Sequence, residues 1–247
     1  MQPDDDLTAA PIVPTAERFT VGLALSRSFG VWLQNLPFFL GVALAAHVPG
    51  FLLTSWQLGQ GGASPTSQRL ENAVTNLLGY LVTGLVTYSV IEQLRGRKPR
   101  PARSLSVGWA KFGPLLGTAI VTGFLTFLLL LVLIVPGVIA AVRWCLVSPI
   151  VVAEDPEDPR VRSSALTAGH RWELFGLLAF TYLGLLLLLV PLGVMLPEEE
   201  TVWTTAVTTV PTAVFLSYRA VLEAVTYSLL RSEKDGIDLD QLAAVFE

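Results

Sequence analysis

The chain has 247 residues, 52% of them hydrophobic and only 15% charged, with a net charge of −4 and a mean hydropathy of +0.60. An ordinary soluble domain carries roughly 25% charged residues, so this composition leaves too much apolar surface for water and excludes a soluble globular protein. Cys145 is alone and His47 and His170 are the sole histidines, which excludes an internal disulfide and any cysteine-based metal cluster.

In chain order, residues 1–35 begin with Asp4, Asp5 and Asp6 and hold no early apolar run. They do not resemble a cleaved signal peptide, so the first span is expected to be retained. An amphipathic segment at 21–35 precedes the first apolar block, 36–58, which carries His47; the second block is 73–91. The connection after it is basic, with Arg95, Arg97, Lys98, Arg100, Arg103 and Lys111, and with Trp109 near its end. From 112 to 142 there is no charge, Asn, Gln or His. A hydrocarbon core about 30 Å thick needs roughly 20 helical residues, so this run exceeds one span. It divides into a third block, 112–135, and a fourth, 137–153, with Pro136-Gly137 as the expected fold-back and Arg143 inside the fourth. Gly113 and Gly117 have the small-xxx-small spacing that permits close helix packing. An acidic, proline-punctuated linker at 154–159 leads to a second basic amphipathic stretch, 161–173, with Trp172. The fifth block, 174–196, is separated by Glu198, Glu199 and Glu200 from the sixth, 202–225, which holds Arg219 and Glu223.

Only helices satisfy every backbone donor and acceptor inside lipid without partners, and these blocks are too long for barrel strands. The expected fold is an all-α polytopic transmembrane bundle of about six spans over residues 36–230, with a tail and interfacial helix at 1–35 and a second tail at 231–247. Lys and Arg are retained on the cytoplasmic side in short loops. With both termini inside, 13 of the 16 basic residues lie on the inner side and Arg69 alone lies outside, which fixes the expected orientation.

Three amphipathic segments precede the odd-numbered spans and align as Ala24-Leu25-Ser26, Ser104-Leu105-Ser106 and Ala165-Leu166-Thr167, each followed by a tryptophan. Such segments suit the inner interface, with Trp32, Trp109 and Trp172 at headgroup depth and basic side chains on phosphates. A further echo pairs Val86-Thr87-Tyr88-Ser89 with Val225-Thr226-Tyr227-Ser228. Three units of interfacial helix plus hairpin follow as the expected arrangement.

An ionisable residue within a span is costly unless it faces protein, water or an anion. Arg143 reads either as an anion or lipid-phosphate contact or as a snorkelling side chain. Arg219 and Glu223, four apart, share a helix face and can neutralise each other or relay a proton or substrate. His47 reads as a ligand or as a hydrogen-bonded structural histidine. No phosphate loop, GxSxG elbow, HExxH helix or dinucleotide fingerprint is present, so no catalytic residue, metal, cofactor or nucleic-acid partner is expected.

Val135-Pro136-Gly137-Val138, Ala141-Val142-Arg143, Pro149-Ile150-Val151-Val152, Ala165-Leu166, Trp172 with Phe175-Gly176-Leu177-Leu178, and Tyr227 with Leu230-Arg231 recur in one order and spacing. Together with the tail Gly236-Ile237-Asp238-Leu239, they resemble the YciC-like family of bacterial inner-membrane proteins. That family is similar to the membrane domain attached to some bacterial glycerophosphodiester phosphodiesterases. The resemblance implies a helical integral membrane protein and supplies no established activity. His170-Arg171 is followed by Trp172 rather than the glycine of the catalytic His-Arg-Gly motif. The expected function is a non-catalytic membrane module binding anionic lipids, a membrane-protein partner or a second copy; the alternative is a small-molecule or ion transporter using Arg143, Arg219 and Glu223.

Overall fold

The computed structural model describes residues 18–61, 65–94, 97, 99–154, 156–197, 199 and 201–236. The acidic N-terminus, Arg95, Lys98, Glu198, Glu200 and the tail beyond 236 lie outside the described residues. Among the described residues all regular structure is helical, in nine helices: α1 (Val21–Gln34), α2 (Leu36–Gly59), α3 (Pro65–Leu94), α4 (Pro101–Val132), α5 (Ile134–Arg143), α6 (Val147–Ala153), α7 (Pro159–Leu166), α8 (Arg171–Met195) and α9 (Val202–Asp235). Six stretches are long and apolar enough to cross a membrane, the fourth being α5 and α6 together.

The amphipathic segments take three different forms. The first is the separate helix α1, started by Thr20, whose hydroxyl accepts the Leu23 N–H at 3.2 Å. It lies antiparallel along α9: the Phe19 N–H donates to Glu233 Oε2 at 2.6 Å, and the Trp32 indole N–H donates to Ser217 Oγ at 3.0 Å. Ala24 and Ser28 are fully buried at that seam. Trp32 is thus tied to protein, with Ser217 satisfying its indole donor. The second segment is no separate helix but the start of α4, which runs 32 residues without a break. At 1.5 Å per residue α4 is about 48 Å long, well beyond the hydrocarbon core. The third is divided into α7 and the first turn of α8 by a bend at Gly169, whose φ of +90° suits a residue without Cβ. Asp158 caps α7 by accepting the Arg160 N–H at 2.9 Å, and the hydrogen bonds from Arg160 hold its carboxyl below the usual carboxylate range.

The fold-back between α4 and α5 falls at Leu133, three residues before the expected Pro136-Gly137. Leu133 is extended, with φ −153° and ψ 127°. Pro136 then occupies the first turn of α5, where a missing N–H leaves no hydrogen bond unmade. Gly137 serves contact instead, since a Cβ there would lie 2.4 Å from Leu130 Cγ and 2.7 Å from Leu130 Cα. The fourth span is broken again at 144–146, between α5 and α6.

Close packing of α3 on α4 also uses glycines other than those expected. Beside Gly113 and Gly117 a Cβ would meet nothing within 4 Å. At Gly108 it would lie 3.1 Å from the Leu85 amide nitrogen, and at Gly84 2.9 Å from Leu115 Cδ1. The Ser89 hydroxyl donates to Ser104 Oγ at 2.9 Å in the same crossing. The centre of the bundle is formed by α9, α3 and the short α6, every residue of which except Ser148 is buried. The most apolar stretch of α9 is 67% buried and that of α3 56%, against 6% for α4 and α8, so the most hydrophobic helices are the peripheral ones. Both copies of the Val-Thr-Tyr-Ser echo lie in the core, with Tyr88 and Tyr227 fully buried.

Candidate functional site

Three polar groups interrupt this bundle. Halfway along α9, Arg219 Nε stands 3.4 Å from Glu223 Oε1, and the Arg219 guanidinium donates to the Tyr182 hydroxyl of α8 at 2.9 Å. The i,i+4 spacing places both charges on one helix face, as expected. Glu223 Oε2 and the Thr226 hydroxyl are buried without a hydrogen-bond partner. They border a crevice of about 20 Å³ lined also by Cys145, Leu174 and Thr181. A water needs roughly 10–15 Å³ of such space, so the crevice has room for about one.

Arg143 does not join that crevice, although Cys145, two residues on, does. Its side chain is exposed at the end of α5. Its carbonyl accepts the Ser163 hydroxyl of α7 at 2.8 Å, and Ser163 Oγ in turn accepts the Leu146 N–H at 3.3 Å. Ser163 thereby satisfies both sides of the break between α5 and α6, where the helical ladder leaves orphan groups. His47 is buried, with Nδ1 2.8 Å from the Ala43 carbonyl. Since a carbonyl only accepts, Nδ1 carries the proton.

The second group was not anticipated from sequence. Glu154, at the end of α6, accepts Arg162 Nε at 2.7 Å and the Tyr227 hydroxyl at 2.8 Å. Tyr227 in turn accepts a guanidinium N–H of Arg231 at 2.7 Å. Asp235 pairs with Arg162 and lies 3.6 Å from Arg231 Nε. Burial lowers the basicity of Arg162, but the hydrogen bonds from Asp235 and Glu154 outweigh it and raise it overall. Two arginines and two carboxylates thus balance inside one knot that joins α6, α7 and α9. One turn away, His170 Nε2 stands 3.0 Å from Glu233 Oε1, and its ring meets Phe19 edge-on at 5.3 Å. The available signal was the spacing of Tyr227, Arg231 and Asp235, which puts all three on one face of α9.

The third group is the basic rim between α3 and α4. Arg97, Arg100 and Arg103 are exposed there and Lys111 is half-buried. Trp109 is 68% exposed and Trp172 83%, so both face outward as lipid-contact residues would. Among the described residues no group of His, Cys, Asp and Glu is placed to hold a metal ion.

These features define a class: a helical bundle with six candidate membrane spans, its polar groups drawn into pairs and knots. No family model matches the chain, and neither a curated protein nor a solved structure does.

Proposed function

We propose that this chain is a non-catalytic integral protein of the bacterial inner membrane that binds anionic lipid or a membrane-protein partner. The observation supporting it is that Arg143 stands apart from the small crevice that Arg219 and Glu223 line, and these two close on each other. A transport path needs polar groups lining continuous space, and an intramembrane enzyme needs a nucleophile and base in reach. Resemblance to the YciC-like family and the outward tryptophans point the same way. The three-unit reading draws on the hairpins α2–α3, α4–α5/α6 and α8–α9, each led by one of the aligned segments. Mass spectrometry of gently purified protein is expected to find an anionic lipid or a protein partner retained. Neither being present sinks the proposal.

The distribution of Lys and Arg supports cytoplasmic placement of both termini. A reporter active only in the cytoplasm, fused after Gly96, is expected to be active, and one fused after Gly61 silent; the opposite pattern refutes this orientation. A transporter remains the second reading because Glu223 Oε2 and the Thr226 hydroxyl are buried without a hydrogen-bond partner beside a crevice with room for about one water. Its other residues would be Arg143 and Arg219.

A further inference from the structure

A hollow of about 490 Å³ opens between α5 and the first turns of α8. Gly137 sets one face of α5 against Leu130 of α4. Val135, Val138, Ile139 and Val142, spaced as i, i+3, i+4 and i+7, form the opposite face and one wall of the hollow. The other wall belongs to α8, where Phe175 and, one turn earlier, Arg171 share a face. Arg171 is the one charged residue lining the hollow. Its side chain is exposed and has no hydrogen bond or ion pair among the described residues. Glu173, two residues on, faces His170 instead, 3.8 Å from Nδ1.

Size and charge together select the occupant. A helix about 10–12 Å across, laid along the roughly 15 Å of α5, would fill about 1,200 Å³ or more, over twice the space present. An acyl chain is far thinner. A plain hydrocarbon would leave the guanidinium without an anion, and a free phosphate would leave the apolar walls uncovered. A guanidinium fork matches phosphate oxygens, so a molecule with a phosphate at one end and an acyl chain at the other meets both demands. We propose that an anionic glycerophospholipid occupies this hollow, its phosphate on Arg171 and one acyl chain between Val138, Ile139 and Phe175. Trp172, exposed on the same turn as Arg171, then borders the headgroup. This rests on the lipid-binding reading above and gives it a place and a ligand class.

The test uses the full chain in phosphatidylcholine nanodiscs doped with phosphatidylglycerol bearing a photoreactive diazirine on its acyl chain. Crosslinked peptides are mapped by mass spectrometry. Crosslinks are expected to concentrate on α5 and on the first turns of α8. A juxtamembrane arginine near an anionic surface is worth about fivefold in binding, so Arg171→Gln should cut labelling of α5 about fivefold. Arg69→Gln, an equal change of charge outside the hollow, should leave it unaltered. Ile139→Trp fills the hollow from an exposed position and is expected to reduce labelling with Arg171 intact. The same diazirine on phosphatidylcholine should label α5 several-fold more weakly. Labelling spread evenly along α4, α5 and α8, indifferent to Arg171→Gln or Ile139→Trp, or equal for the two lipids overturns the site. Benzoylphenylalanine in place of Ile139 in whole membranes is expected to crosslink to lipid, and a crosslink to a second copy or another protein instead overturns it too. The broader proposal is judged separately, by its own lipid- or partner-retention measurement.

Discussion

Glu154→Ala is expected to destabilise the protein by about 3–5 kcal/mol, the cost of leaving a buried charge without its partner. The Glu154 side chain is 12% exposed and Arg231 10%, so water cannot replace what is removed. Losing this one carboxylate deprives Arg162, Arg231 and Tyr227 together. The readout is the thermal midpoint in mild detergent, where the fall should be on the order of 10 °C. Adding Arg162→Leu should cost much less than the sum of the two single changes, because both act on one network. Strict additivity in that cycle would show that the knot carries no coupling.

The second large effect is steric. Gly137→Val places carbon atoms inside contact distance of Leu130, and the nearest obstacle includes Leu130 Cα at 2.7 Å, which cannot rotate away. Overpacking of this kind costs about 1–3 kcal/mol where side chains give way, and more where backbone must move. The expected consequence is opening of the α4–α5 hairpin, with a lowered thermal midpoint for Gly137→Ala and a larger fall for Gly137→Val. Gly123→Ala is the matched control, since nothing lies within 4 Å of a Cβ there. In a helix interior it should be neutral or stabilising by roughly 0.5–1 kcal/mol. Equal stability of Gly137→Ala and Gly123→Ala would contradict the packing described.

Much of the bundle was legible because hydropathy reports where lipid is and helices are the sole free-standing answer to it. The first block, expected at 36–58, is α2 at Leu36–Gly59; the fifth, expected at 174–196, lies within α8 and its end. What failed to read were features set by neighbours. The sixth block is expected to stop at 225, yet α9 continues to Asp235, since its polar C-terminal end is covered by α1, α6 and α7. Pro136-Gly137 carried a turn signature but served a first turn and a close contact, a distinction that depends on where Leu130 sits. The knot joins Glu154 to Tyr227 and Arg231, and Arg162 to Asp235, pairings no local spacing reveals. Pro149, Ile150, Tyr227, Leu230 and Arg231, among the residues that carry the resemblance, are all buried.

Beyond Leu115 no residue of α4 is buried, and beyond Thr181 none of α8. The distal half of α4 meets protein at the Leu130–Gly137 contact with α5 and that of α8 at the contacts of Tyr182 with Arg219 and Phe215 of α9, while α3, α6 and α9 lie at the buried centre. A change in membrane thickness must be absorbed by tilt where tilt is cheapest, at fractions of a kcal/mol per ångström of mismatch. Acyl-chain length would thus reset the angle of two struts against that centre, making the surrounding lipid the variable part of the tertiary structure.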